Sequence, residues 1–541
     1  MQVSTNLRGK LRVLWVVLIL VGSQSLFSRN LIVFSIDSCR ADRFGIYGYP
    51  RDTSPNIDSW ARTGTVFRNA YSTSAWTAPG LVSLLSGLYP PTHEVNNRDR
   101  MGSPDLVTLP KLLRQRGYEV PNLNFFTFAP YYVNLGLLPV ERRYFGEKPG
   151  DELLNWLTQN LDSDRTEPFF VFYHSTIVHQ PYNPSDDALP APREELERRP
   201  AIRAVLNGAI VPLGSTQFAE GDKEILDQLY DAEIRRVDSL FGEMLDILKD
   251  KGLLDETLIV LTADHGEELL DHGFVGHAST SLQAKLYEEL TRIPLIFSWP
   301  EHVPVDRIEE GLASQIDVLP TVLSLLGWKP PETTEGINLL APGTAQRTLY
   351  FESVIAGNQT TRENQNLWVR AVRKGHFKFI TTEELYNLQT DPLEKTNLAE
   401  VNSELARAMR KDIDAWVGAS YQKAREIFQT QPRLYVPRGK ATRCPTMQVP
   451  SDGSVLSYDQ HTGVVLLQWR GDLRTEYLVQ YDIGTGDHHI TGIFPMQGNH
   501  QLLGPLHPEL WTNLKAWNPF KIRVSPRASR TCWSEWVSFE F

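Results

Sequence analysis

Short, almost wholly apolar runs punctuate this chain, and each stops abruptly at polar or ionisable residues. "NLIVFSI" (30–36) ends at Asp37, "PFFVFYHST" (168–176) closes on His174, Ser175 and Thr176, and "TLIVLTADHGEE" (257–268) passes straight into Asp264 and His265. "RIPLIFSWP" (292–300) is a fourth run of the same kind. Unbroken runs of this length read as strands buried on both faces. Between them lie segments such as "TLPKLLRQRGY" (108–118) and "QLYDAEIRRVDSLFGEMLDILKDKG" (228–252), whose apolar spacing predicts helices. Strands alternating with helices imply an α/β fold, a mainly parallel sheet flanked by helices. Ligands of such sheets collect beyond the carboxyl ends of the strands, so Asp37, Asp264, His265, His174 and His179 are candidates for one crevice.

"STSAWTAPGLVSLLSG" (72–87) predicts a further helix, with Leu81, Leu84, Leu85 and Leu88 on one stripe and Pro79 and Gly80 in its opening turn. Thr77 falls at or just before its N-terminus, where a threonine is most often a cap. Downstream, "IDVLPTVLSLLGWKPP" (316–331) predicts a helix ended by Gly327 and two prolines. "VRAVRKGHFKFI" (369–380) reads as two strands turning near Lys374 and Gly375, followed by a helix to about Trp416. After a linker-like stretch the character changes. "GVVLLQWRG", "EYLVQYDIG", "FKIRVSPR" and "CWSEWVSFEF" are aromatic and β-branched runs between turn residues, as in an all-β sandwich. The expected organisation is an N-terminal segment (1–28), a catalytic domain with a small C-terminal subdomain (29–420), a linker (421–440) and a β-sandwich (441–541).

A chain of 541 residues exceeds one ordinary core. Its net charge of −11 argues against nucleic acid as a partner. Arg8, Lys10 and Arg12 precede an apolar run from Val13 to Val21, the order of a secretory signal. The run is short for a spanning helix, which needs about 20 residues, although the lack of a clear cleavage site leaves an uncleaved anchor open. Either case places the protein outside the cytoplasm (periplasmic, secreted or membrane-anchored), with membrane contact only through this segment. Cys39 stands alone, whereas Cys444 and Cys532 both lie in the last hundred residues and could pair in an exported protein, the alternative being two buried thiols. Three cysteines without paired spacing do not make a thiolate zinc site.

Two carboxylates (Asp37, Asp264), an imidazole (His265) and a hydroxyl (Thr77) would suit one divalent cation, Ca, Mn or Zn. Coordination of that kind makes a weak alcohol nucleophilic, and the helix N-terminus behind Thr77 would hold developing negative charge. The competing reading of Asp37 alone is a turn former.

Residues 30–95, "NLIVFSIDSCRADRFGIYGYPRDTSPNIDSWARTGTVFRNAYSTSAWTAPGLVSLLSGLYPPTHEV", resemble the opening of the sulfatase family, within the alkaline phosphatase superfamily. "HQPYNP", "LTADHGEELLDHGFVGH", "KLYEELTRIPLIF", "SQIDVLPTVLSLLG" and "ELYNLQTDPLEKTNLAE" are similar to later family motifs, in family order up to about residue 416. The resemblance implies metal ligation by Asp37, Thr77, Asp264 and His265, with Thr77 as nucleophile. His179 would contact the oxygens of a bound anion, and His277 would do the same or protonate the leaving group. His174, Arg40 and Lys285 are further candidates for substrate binding, and His93 for holding a loop.

The departures redirect the chemistry. Where the family carries a C-x-P-S-R-type motif whose Cys or Ser becomes formylglycine, this chain has Thr77, Ala78, Pro79, Gly80 and Leu81. The β-methyl of threonine prevents oxidation to an aldehyde, so no formylglycine is expected. Ser38 stands where the family has a second Asp, and "NLNFFTFAP" (122–130) replaces its Lys-x-His segment. What remains resembles the superfamily's threonine-nucleophile members, phosphodiesterases and lipoteichoic acid synthase-like transferases. The expectation is a hydrolase or transferase acting on a phosphate ester, or a sulfate ester, carried by a glycan or lipid headgroup. The alternatives are a formylglycine-independent sulfuric ester hydrolase and an inactive fold that binds anionic glycans or a protein. The last module is similar to a fibronectin type III-like sandwich, its tryptophans serving as core or as a carbohydrate surface.

Overall fold

The apolar runs form strands in the computed structural model. It describes residues 30–428 and 445–540, apart from 97–99, 101, 125–129, 133, 138–141, 209, 343–346 and 355–367 in the first stretch and 457–464, 471–475, 486–487, 498–499, 504–513, 515–517 and 527–531 in the second. The N-terminal signal or anchor segment and Cys444 lie outside the described residues, among which no helix is long and apolar enough to cross a membrane. Cys532 is disulfide-bonded and Cys39 is free and buried.

Strands β1 (Asn30–Ile36), β2 (Thr65–Tyr71), β3 (Phe170–Ser175), β4 (Thr257–Ala263), β5 (Leu295–Ser298) and β6 (Arg307–Ser314) form a six-stranded sheet in the order β3-β1-β4-β5-β2-β6. β1 is parallel to β3 and β4, and β2 to β6. β1, β3, β4 and β5 are buried along their whole length, the two-sided burial that their unbroken apolar runs require. β6 escaped the pattern because it is a polar edge strand, largely exposed except at its end. β5 runs antiparallel to β4 and β2, so the sheet is mainly but not wholly parallel. The chain between β4 and β5 holds only short helical turns and a two-residue ladder, not the long crossover a parallel return needs. The carboxyl end of β5 therefore points away from the crevice.

Helix α1 (Thr77–Ser86) is buried at every position after Thr77. Polar ties fix its place. Gln315 Nε2 donates to Gly80 O at 2.9 Å and to Thr73 Oγ1 at 3.0 Å, and Thr73 Oγ1 donates to Ser83 Oγ at 2.8 Å. Gly80 lets the helix press on the end of β4, since a Cβ there would lie 2.5 Å from the Asp264 carbonyl oxygen. Helix α2 (Asp222–Asp250) covers the sheet, Phe241 meeting Phe34 edge-on at 5.2 Å. Its buried Tyr230 donates to Ser38 O at 2.6 Å and accepts from Arg40 N–H at 3.0 Å, which pins the turn after β1.

His93 is fully buried behind α1, its Nδ1 accepting from Val95 N–H at 3.0 Å and its Nε2 lying 3.1 Å from Ser83 Oγ. Burial lowers its pKa to about 3, whereas the unfolded imidazole titrates near 6.5, so below that value the unfolded chain takes up the proton first. Its contribution to stability is complete above about pH 6.5 and is lost as pH falls toward 3, at up to about 1.4 kcal/mol per unit. Urea unfolding at pH 7.5 and 5.0 should show a smaller acid loss for His93→Gln than for the wild type. An identical loss in both would contradict this assignment.

A second, antiparallel sheet contains β7 (Thr348–Val354), β8 (Trp368–Lys374), β9 (Phe377–Ile380) and β10 (Glu384–Asn387), in the order β10-β9-β8-β7. The turn between β8 and β9 falls at Gly375, whose φ of 59° favours glycine. The last helix of this part runs from Ser403 to Ile427, so the first residues of the stretch expected to be a linker are helical. Ala424 and Phe428 continue its apolar contact with the main core.

Beyond residue 444 are a three-stranded and a five-stranded sheet. Trp469, Tyr477, Val479 and Val524 are buried together, so these aromatics belong to a core. Trp533 and Trp536 hold the Arg523 guanidinium at 4.7 and 4.6 Å from their ring centres, a cation–π pair.

Candidate functional site

Strand register assembles the site. Ile36 pairs with Ala263 across β1 and β4, so the next residues, Asp37 and Asp264, emerge side by side. Ser35 pairs with His174 across β1 and β3, which sets that imidazole on the flank. His174 Nε2 lies 3.3 Å from Asp37 Oδ2 and 3.7 Å from Asp264 Oδ2. His265 approaches from the other side, its Nε2 3.5 Å from Asp37 Oδ1, 3.3 Å from Asp264 Oδ2 and 3.3 Å from Thr77 Oγ1. The second ring nitrogen of His265, Nδ1, sits 2.7 Å from Gly266 O. Donation there leaves a lone pair on Nε2, the arrangement of a metal-ligating histidine.

Thr77 is not the cap. The N-cap of α1 is Trp76, in an extended conformation, and the Thr77 hydroxyl has His265 as its partner. Ser38 sits at φ 59°, a left-handed conformation rare outside glycine. That geometry aims its N–H at Asp264 Oδ1 (3.2 Å) and its hydroxyl at Asp37 Oδ1 (3.0 Å).

The electrostatics fit a cation. Asp264 Oδ1 accepts from Ser38 and His265 N–H groups, but the buried Oδ2 has no hydrogen-bond partner, nor has His174 Nε2. Burial and the neighbouring charge of Asp37 push Asp264 up to about 6. Burial acts on Asp37 in the same direction, yet His179 and His174 outweigh it and hold that carboxyl below the usual range. Burial lowers His265 to about 4, keeping its ring neutral. Asp37, His174 and Asp264 each offer a ligand atom within 4.8 Å of the others. Two buried carboxylates with an orphaned oxygen and the neutral His265 nitrogen form a donor set that a divalent ion would complete.

The remaining predicted residues divide. His179 is half-buried; its Nδ1 bonds to Gln180 O, and Nε2 has no hydrogen bond among the described residues. His277 is wholly buried, its ring 4.3 Å from that of His265 and 5.0 Å from that of His179. Burial, then His179, holds it well below the ordinary histidine range. His174 is buried beside the two carboxylates, its Nε2 facing Asp37 and Asp264. Arg40 is committed to partners within the protein. Its guanidinium is buried and bonded to both Asp42 oxygens, to Asp271 and to Glu267 O, so it braces the loop. Lys285 is half-buried and forms no ion pair among the described residues.

Two residues near His277 were not foreseen. Glu267 Oε1 lies 3.0 Å from its Nδ1, and Ser279 Oγ 2.7 Å from its Nε2. Burial pushes Glu267 up to about 8. Glu267 stood in plain sight within "DHGEE", but only its distance to His277 distinguishes it from Glu268. A second donor group, Glu268, His272 and Glu289, lies on the following turn. There His272 stacks on Tyr287 at 3.8 Å and its Nδ1 bonds to Glu289, so its nitrogen is already occupied.

The family model described as Sulfatase matches residues 29–328, more than half the chain, and that of N-sulphoglucosamine sulphohydrolase, C-terminal, matches 283–417. The chain is 25% identical to the multifunctional alkaline phosphatase superfamily protein PehA of Trinickia caryophylli, over 69% of this chain and 91% of that protein. It is 22% identical to an N-acetylglucosamine-6-O-sulfatase of Bacteroides thetaiotaomicron, over 68% and 82%. The phosphonate monoester hydrolase of Agrobacterium radiobacter superposes with a TM-score of 0.55 at 20% identity, covering 73% of this chain and 96% of that one. The chain belongs to the sulfatase family, among the ester hydrolases of the alkaline phosphatase superfamily.

Proposed function

We propose that this chain is an extracytoplasmic, metal-dependent hydrolase or transferase that opens phosphate esters through Thr77. One observation carries the reading: His265 Nε2 lies within 3.5 Å of Asp37, Asp264 and the Thr77 hydroxyl together. Asp37, Asp264, His265 and Thr77 would hold the ion, with His174 at their flank. A mixed oxygen and nitrogen donor set favours Mn or Zn over Ca, which takes oxygen ligands. When bound, the cation would lower the pKa of the alcohol and neutralise charge on the transferring group.

The chain's own residues supply the rest. Thr77 Oγ1 gives up its proton to solvent and forms the bond to phosphorus as the bond to the leaving oxygen breaks, giving a phosphothreonine. The leaving oxygen takes up a proton from solvent and departs as the alcohol. Water, or an acceptor alcohol, then attacks phosphorus and frees Thr77. The open Nε2 of His179 is placed to meet a non-bridging oxygen of the bound ester. Ser38 fixes the two carboxylates, and Arg40 fixes the loop that carries Glu267.

Sulfate esters are the second reading, favoured by the relative that acts on N-acetylglucosamine 6-O-sulfate and by the family match over 283–417. Assays with Mn, Zn or Ca on aryl phosphodiester, phosphonate monoester, phosphomonoester and sulfate substrates separate the readings. Turnover of a phosphorus ester that chelation abolishes and Mn or Zn restores is the expected result. Turnover confined to sulfates would move the assignment to the second reading. No turnover with any metal, alongside binding of sulfated glycans, would overturn both.

A further inference from the structure

Glu267, His277 and Ser279 form a carboxyl–imidazole–hydroxyl chain, 3.0 Å from Oε1 to Nδ1 and 2.7 Å from Nε2 to Oγ. We infer that Ser279, not His277, is the group that meets the leaving-group oxygen, and that Glu267 and His277 position its hydroxyl. The inference rests on the ester-opening reading of the site and adds a contact to it.

Three observations support it. First, both nitrogens of His277 are occupied: Nδ1 by Glu267, with Ser38 Oγ 3.4 Å away, and Nε2 by Ser279. The ring has no exposed surface, whereas Ser279 keeps 9% of its own. Of the two, Ser279 is the residue with surface left to meet a substrate atom. Second, the short helical turn α3 (Ala278–Ser281) that carries Ser279 is tied to the nucleophile's own loop, with Ala278 N–H donating to Ala75 O at 3.3 Å. Third, the chain is braced at both ends. His277 N–H donates to Thr280 Oγ1 at 2.8 Å, Ser281 Oγ donates to His277 O at 2.7 Å, and Glu267 N–H donates to Glu289 O at 2.9 Å. A hydroxyl can accept from the imidazole behind it while donating to an oxygen in front, so Ser279 can hold developing negative charge on a leaving group.

Such a contact matters more as the leaving alcohol becomes more basic. The test compares Ser279→Ala, Ser279→Thr and Glu267→Gln with the wild type, metal-loaded, on esters that share a phosphoryl group but differ in leaving group. Ser279→Ala should cost an alkyl ester about 10²-fold more in kcat/KM than the matching 4-nitrophenyl ester. Ser279→Thr, which keeps the hydroxyl, should restore the wild-type dependence, and Glu267→Gln should steepen it less than the alanine variant. Equal losses on both esters would reduce Ser279 to a structural role and overturn the inference, as would no loss on either. Thr77→Ala serves as the separate control: if it abolishes turnover while Ser279→Ala shows no leaving-group contrast, only this inference fails. If Thr77→Ala leaves turnover intact, the underlying reading fails instead.

Discussion

Thr77→Ala is expected to lower kcat/KM by at least about 10³-fold on every ester the protein turns over, with folding unaffected. The residue is the half-exposed first position of a helix otherwise buried, and its side chain caps nothing. The hydroxyl instead faces His265 Nε2 at 3.3 Å, so in the proposed mechanism the variant loses the attacking atom and one ion ligand. Thr77→Ser keeps the oxygen and sheds only a methyl group, and should retain most of the activity. Steady-state kinetics of the two variants, with thermal unfolding to verify folding, decide the matter. Comparable losses in both would show that the methyl packing, not the oxygen, carries the effect.

Asp264→Asn is the second large effect, and it separates metal binding from folding. The two backbone N–H groups that Asp264 Oδ1 accepts can bond equally to an amide oxygen. The amide –NH₂ then points where the orphaned Oδ2 stood, offering a donor where a cation needs a lone pair. Without metal the substitution also removes the repulsion between two buried carboxylates. The metal-free variant should therefore be at least as stable as metal-free wild type. A site filled at 100 times its dissociation constant stabilises the folded state by about 2.7 kcal/mol, and this increment should vanish in the variant. Activity should fall by at least about 10²-fold. Differential scanning calorimetry with and without Mn or Zn reads both quantities. A variant that keeps the full metal-dependent rise would remove Asp264 from the ligand set.

Much of this arrangement was legible because it follows from strand periodicity. Asp37 and Asp264 end two unbroken apolar runs, and parallel pairing of those runs forces the carboxylates together. Helix α1 was equally legible from its leucine stripe and its proline and glycine opening. Gly80 carried more than a turn preference, since its missing side chain admits the Asp264 backbone. That need is invisible without the partner element. The direction of β5 was not legible either, because an apolar run reads the same in both directions and only the lack of a crossover helix reverses it. Arg40 illustrates a different limit. An arginine near a candidate site suggests an anion, yet Asp42 and Asp271 take up its donors, and no spacing rule announces a pairing across 231 residues. Glu267 and Ser279 were missed for the same reason: their partner is one buried imidazole whose two nitrogens the fold shares out.

The central claim is that one cation joins the alcohol of Thr77 to the acidic pair. Crystals grown with Mn or Zn and measured at the metal's absorption edge test it most directly. The account predicts an anomalous peak within bonding distance of Thr77 Oγ1, His265 Nε2, Asp37 and Asp264. A peak confined to Glu268, His272 and Glu289, or an ion held by the carboxylates with the Thr77 oxygen turned away, would contradict it.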